Sequence, residues 1–180
     1  MMTLGDPNTF AMGLEVDWSS SRKPWMYGKL CMWICGRLLG SADYDDATLS
    51  DALVSLNHEI DKLQTPSDRS LAIASTEIAF FSIEGSIYGL KHFQHLLPPS
   101  FQTLRVDEKA NYQLRIGDAF DDCKIYCVPV GDICRLIYST RTERRAPWSY
   151  PIECKVSKSA FDRLIIEARD LLATWYSSLP

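Results

Sequence analysis

A chain of 180 residues that is 46% apolar and 23% charged can close a hydrophobic core, which excludes a wholly disordered or fibrous polypeptide. Its formal net charge of −4 disfavours nucleic acid as the main partner, because an acidic surface repels phosphate. Its greasiest stretch, Leu71 to Ile83, is interrupted by Ser75, Thr76, Glu77 and Ser82, short of the roughly 18 clean apolar residues of a membrane span.

Met1 to Asn8 has no basic segment and no apolar run, so no secretory signal is expected and the chain is read as cytoplasmic. Phe10 to Trp18 alternates as a strand, with Phe10, Met12, Leu14 and Val16 on one face and Glu15 and Asp17 on the other. Ser19 to Pro24 is a polar loop. Trp25 to Gly36 follows as a strand apolar on both faces, hence central in its sheet. Thr48 and Asp51 have capping-box spacing before a stripe of Leu49, Leu53, Leu56, Ile60 and Leu63, which predicts a helix ending near Pro66. A second helix is predicted over 76–88 with Ile78, Phe81 and Tyr88 inward, and a short strand over 71–74 is an option.

After Pro98-Pro99 the period changes. Residues 101–106, 112–116, 123–128 and 133–139 read as strands of a meander, with turns at 118–122 and 130–132. Arg141 to Tyr150 is an irregular loop. Ser157 or Ser159 then caps a last helix striped by Phe161, Leu164, Ile165, Ala168, Leu172 and Trp175. Residues 1–180 are read as one α+β domain, a mostly antiparallel sheet packed against two to three helices.

Chemical motifs are sparse. The six cysteines read as free core thiols, as expected of a cytosolic chain. Cys31/Cys35 and Cys123/Cys127 share a three-residue gap, but in a strand that spacing separates them by about 13 Å, too far for one zinc ion. His92 and His95 lack a nearby third ligand, and His58 lies in a polar stripe. Gly85-Ser86-Ile87-Tyr88-Gly89 has nucleophile-elbow spacing without the following helix an elbow needs. No catalytic residue, metal or cofactor is expected.

Charge is distributed unevenly. Residues 1–100 hold 12 acidic and 7 basic residues, residues 101–180 hold 11 and 12. Asp43-Tyr44-Asp45-Asp46, with Glu15 and Asp17, and the turn carboxylates Asp118, Asp121 and Asp122 are candidate contacts for a basic partner. Arg141, Arg144, Arg145, Trp148 and Tyr150 mix cations and aromatics, a composition shared by nucleic-acid sites and by protein interfaces. Trp148 is taken as a partner contact.

Gly5-Asp6-Pro7-x-x-Phe10-Ala11, the acidic strand to Asp17, Trp25-x-Tyr27-Gly28-Lys29-x-Cys31-x-Trp33-Ile34-x-Gly36, and Gly40 before an acidic run together resemble the Immunity protein 42 family. Ala119-Phe120-Asp121-Asp122 and Arg135-Leu136-Ile137-Tyr138 fit it more loosely. The resemblance implies a bacterial protein, encoded beside a polymorphic toxin such as that of a contact-dependent inhibition system, that binds and neutralises this toxin without catalysis. A basic nuclease is the target that the acidic clusters favour. The alternatives are a small enzyme with a cryptic Cys–His site and a nucleic-acid module built on the Arg141–Tyr150 loop.

Overall fold

The computed structural model describes residues 1–41, 47–63, 68–88, 112–142 and 147–180. Its strands are β1 (Met2–Asp6), β2 (Phe10–Val16), β3 (Tyr27–Ile34), β4 (Arg37–Ser41), β5 (Ala47–Thr48), β6 (Cys123–Val130), β7 (Ile133–Thr140) and β8 (Ile152–Ser157). Its helices are α1 (Leu49–Lys62), α2 (Arg69–Ile73), α3 (Thr76–Tyr88) and α4 (Lys158–Ser177). The α+β class holds, with four helices among the described residues and two antiparallel sheets in place of one. One sheet runs β1-β2-β3-β4 with β5 also on β3, and the other runs β6-β7-β8.

β3 is central, as its two apolar faces predict, flanked by β2 and by β4 and β5. Its Gly28 is dictated by close approach: a Cβ there would overlap the Glu15 carbonyl of β2 and lie 2.9 Å from Leu49 Cδ1. The reversal into β4 uses Cys35 and Gly36 at φ of 49° and 79°, a region that glycine enters without steric cost. Three strands of this sheet escape the sequence pattern, the two-residue β5 among them. β1 is an exposed edge paired from Met2↔Leu14 to Asp6↔Phe10, and β4 pairs from Leu30↔Ser41 to Ile34↔Arg37.

The second sheet has two buried faces. Ile125, Leu136, Tyr138, Cys154 and Val156 join β2, β3, α1 and α4 in the main core. The alternate positions Tyr126, Val128 and Ile137 pack against Leu71, Ala79, Phe80 and Ile83 of α2 and α3 in a second core. Period-two alternation therefore serves two cores, and β7 is buried almost throughout. The α4 stripe is as predicted. Phe161, Leu164, Ile165, Ala168 and Leu172 are buried, Trp175 is partly buried, and Ser157 Oγ accepts the Ala160 amide.

Several expectations are corrected. Residues 71–73 belong to a helix, because Asp68 accepts the amides of Ser70 and Leu71 and starts α2. α3 has the predicted span, and Phe81 packs partly buried against the second core as expected, but Ala79, Phe80, Ile83 and Glu84 are the buried positions and Tyr88 is 45% exposed. Glu84 is wholly buried and bonded to Lys124 Nζ and Tyr126 Oη, and Phe80 meets the Tyr126 ring edge-on at 5.3 Å; these partners set the rotation. In α1 Thr48 is the N-cap residue, yet its hydroxyl reaches Asp118 Oδ2 at 3.4 Å instead of capping. Residues 112–116 make a single β-bridge in place of a full strand: Gln113 lies opposite Tyr126 of β6, with the Leu114 amide donating to the Ile125 carbonyl and the Cys127 amide to the Tyr112 carbonyl, each at 2.8 Å. β8 lies outside the predicted elements, although its Cys154 and Val156 alternate with Glu153 and Lys155 as in a half-buried strand. Ser86 lies inside α3 and donates to the Ile83 carbonyl at 2.7 Å, so no nucleophile elbow forms.

The thiol reading also fails at one pair. Cys35 in the β3–β4 turn and Cys154 in β8 are disulfide-bonded, with Cα atoms 6.1 Å apart across a sequence separation of 119. Cys31, Cys123, Cys127 and Cys134 are free. The strand predicted at 101–106, His92 and His95 lie outside the described residues.

Candidate partner-binding surface

The turn carrying Asp118, Asp121 and Asp122 is a rigid feature. Residues Asp118–Phe120 form one 3-10 turn whose Phe120 is buried and lies against Gly40 of β4. Arg141, at the end of β7, latches it: Nε donates to Asp122 Oδ1 at 2.7 Å, Nη2 donates to the Asp121 carbonyl at 3.1 Å, and the backbone amide donates to the Asp122 carbonyl at 3.0 Å. All three carboxylates are exposed. One is neutralised by Arg141, so the turn presents a mostly anionic surface that is fixed in place.

Trp148 belongs to the same region. Its ring carries the Arg141 guanidinium and the Lys124 ammonium, each 4.8 Å from the centroid. Lys124 also sits 4.8 Å from the Tyr88 ring and pairs with buried Glu84. Burial pushes the Glu84 carboxyl above its ordinary value against the pull of Lys124. The sequence pattern behind this arrangement, cations interleaved with aromatics, is that of a binding loop. Here the cations occupy the indole that stacking on a base would need. A groove beside them is lined by Tyr88, Arg115, Phe120, Asp121, Lys124 and Trp148 among others.

Glu15 and Asp17 lie elsewhere, at the end of β2. Glu15 pairs with the Met1 ammonium at 2.7 Å, which holds its carboxyl below its ordinary value. The Asp17 carboxylate accepts from Ser19 Oγ at 2.7 Å, Ser19 N at 2.9 Å, and Ser20, which pulls its pKa down to about 2. Asp17 is thus a turn-former first. Asp43, Tyr44, Asp45, Asp46, Arg144 and Arg145 lie outside the described residues.

A small cavity of about 30 Å³ lies between α1, α4 and the β6–β7 hairpin, lined by Glu59, Lys62, Cys127, Cys134, Lys158 and Asp162 among others. It has room for a single water. His58, on α1, is exposed and is not among its lining residues. Among the described residues no cluster of three or more His, Cys, Asp or Glu could hold a metal ion, and no helix is long and apolar enough to cross a membrane.

Comparison with known proteins supplies the rest. A crystal structure of CdiI from Burkholderia dolosa AUO158 superposes with a TM-score of 0.67 at 21% identity, over 96% of this chain and 99% of that one. At that identity the likeness establishes a shared fold. No curated protein matches the sequence. The model of one family, Immunity protein 42, matches residues 1–170. That span covers both sheets, α1 to α3 and most of α4, and the chain belongs to the Immunity protein 42 family.

Proposed function

We propose that this protein neutralises a cognate toxin domain, encoded upstream of it, by stoichiometric binding in the cytoplasm, and that the toxin is a basic nuclease. The family match over residues 1–170 carries the reading. Support from the geometry is the latched, exposed turn of Asp118, Asp121 and Asp122, because fixed charges of one sign steer an oppositely charged partner and occlude a site built for phosphate. Glu15, Asp17, Trp148 and the Asp43–Asp46 run are proposed as further contacts. No step of this function calls for a catalytic residue or cofactor.

The test is titration of the purified chain against the toxin domain encoded beside it, followed by a growth-rescue assay. Nanomolar binding with rescue is the expected result. Neutralising Asp118, Asp121 and Asp122 together should cost more than about 1 kcal/mol of binding and flatten its salt dependence, since steering charge is being removed. Absence of binding by the folded chain refutes the reading.

A further inference from the structure

Two of the five tryptophans stand out in water: Trp18 is 53% and Trp25 51% exposed. Both lie in the connection between β2 and β3. The other three are engaged, Trp148 by its two cations, Trp175 against the main core, and Trp33 over Gly13. An indole offers about 150–250 Å² for burial, so two exposed ones forgo some of the largest packing gains open to a fold.

The exposure does not come from a loose loop. Ser19 and Ser20 are tied to the Asp17 carboxylate. Ser21 is 4% exposed, and its Oγ accepts the Tyr27 amide at 2.9 Å. Arg22 and Trp25 exchange backbone hydrogen bonds of 2.9 and 2.7 Å. Met26 is wholly buried, and its carbonyl accepts the amides of Leu49 and Ser50 at the start of α1. From the other side, the Lys23 amide reaches the Pro180 carbonyl and its ammonium the Ser177 carbonyl, each at 3.4 Å. Tryptophan, serine and arginine on a fixed loop is the composition of a high-affinity paratope, because an aromatic already held in place loses little entropy on binding.

Charge gives the partner's chemistry. Arg22 and Lys23 are exposed beside the indoles and outnumber the loop's one carboxylate, Asp17, which stays ionised under the hydroxyls of Ser19 and Ser20. A locally cationic rim on a chain of net charge −4 matches carboxylates on the opposing surface. We propose that this loop is a docking surface for the cognate toxin domain, Trp18 and Trp25 entering an apolar recess and Arg22 and Lys23 facing carboxylates at its edge. The proposal rests on the toxin-neutralising reading and is distinct from the acidic turn in position and sign.

The test titrates the full chain and four variants, Trp18→Ala, Trp25→Ala, their double, and Arg22→Glu with Lys23→Glu, against the toxin domain encoded beside it, with thermal melts in parallel. Each alanine should weaken binding about 30-fold or more, as buried aromatic anchors do. The charge reversal should slow association about tenfold or more at low salt. Melts should stay near the parent's, and Trp→Phe at both sites should recover most of the affinity if a variant melts early. Double-alanine affinity within about threefold of the parent overturns this docking surface while leaving toxin binding in place. No binding by the parent overturns both. Self-association of the parent that the double variant abolishes without loss of toxin affinity assigns the loop to a second copy, and overturns the proposal too.

Discussion

Arg135 is the side chain whose removal should be felt most. It is 4% exposed, donates from Nε to Glu153 Oε1 at 3.0 Å and from Nη2 to Glu153 Oε2 at 2.6 Å, and caps the end of α2 through the carbonyls of Leu71 and Ala72. Thr76 at the start of α3 donates to the same carboxylate at 2.7 Å. One guanidinium thus ties β7, β8 and the elbow between α2 and α3. Arg135→Met keeps the apolar stem but leaves Glu153 and two carbonyls without their donor. Removing one partner of a buried pair costs about 3–5 kcal/mol, and each kcal/mol lowers Tm by about 2–4 °C in a chain of this size. A fall of roughly 6–20 °C is expected. Replacing both residues with methionine should recover most of that loss, because an apolar pair of similar volume is often neutral.

The same pair has a pH signature. Burial raises the Glu153 pKa, but the hydrogen bonds from Arg135 and Thr76 outweigh it and leave the carboxyl below 4.5. A depressed carboxyl contributes stability above its unfolded pKa that is lost as pH falls through the folded one. The acid limb of the parent's stability curve should therefore flatten in Arg135→Met. Urea unfolding from pH 3 to 7 tests both points. A variant within about 1 kcal/mol of the parent at pH 7, or an unchanged acid limb, would refute the network's role.

Two further predictions concern Glu84 and the cysteines. Burial holds the Glu84 carboxyl above 4.5 in the folded state, so its contribution is full below that value and is lost as pH rises through the folded pKa; the stability of the parent relative to Glu84→Gln should fall from pH 4.5 upward, and a pH-independent difference in urea midpoints would contradict it. Denatured without reductant, the oxidised chain should expose four reactive thiols, from Cys31, Cys123, Cys127 and Cys134. Reduction should then lower the unfolding free energy by up to about 5 kcal/mol, the loop-closure value for a 119-residue separation, whereas six reactive thiols at the outset would show the bond absent.

Elements with strict periodicity were legible. The α4 stripe, central β3 and the β6–β7 hairpin follow from side-chain spacing alone. α3 was legible in span but not in rotation, because apolar residues surround it and Glu84, the residue that decides its facing, looks like a surface acid until Lys124 and Tyr126 are placed beside it. β8 alternates Glu153 and Lys155 with Cys154 and Val156, and Glu153 is inside only because Arg135 receives it. The Cys35–Cys154 bond depends on two sheets meeting, which no local pattern encodes. At the surface, the acidic turn was visible as a cluster of Asp residues, but its latch by Arg141 was not. Trp18 and Trp25 sit at the ends of the strands that the pattern predicts, and only their exposure on a pinned loop makes them candidates for contact.

The Cys35–Cys154 bond makes a covalent ring of residues 35 to 154, with β1, β2 and β3 leaving it on one side and α4 on the other. Any one peptide bond cut inside that ring opens it without freeing a piece, so a nicked molecule keeps the Trp18–Trp25 loop and the acidic turn joined. On a gel it would run near full size until thiol is added. In a reducing cytoplasm, where such bonds are rarely kept, the same nick would part the chain into two fragments held only by packing. Resistance to a first proteolytic cut would then depend on the compartment's redox state.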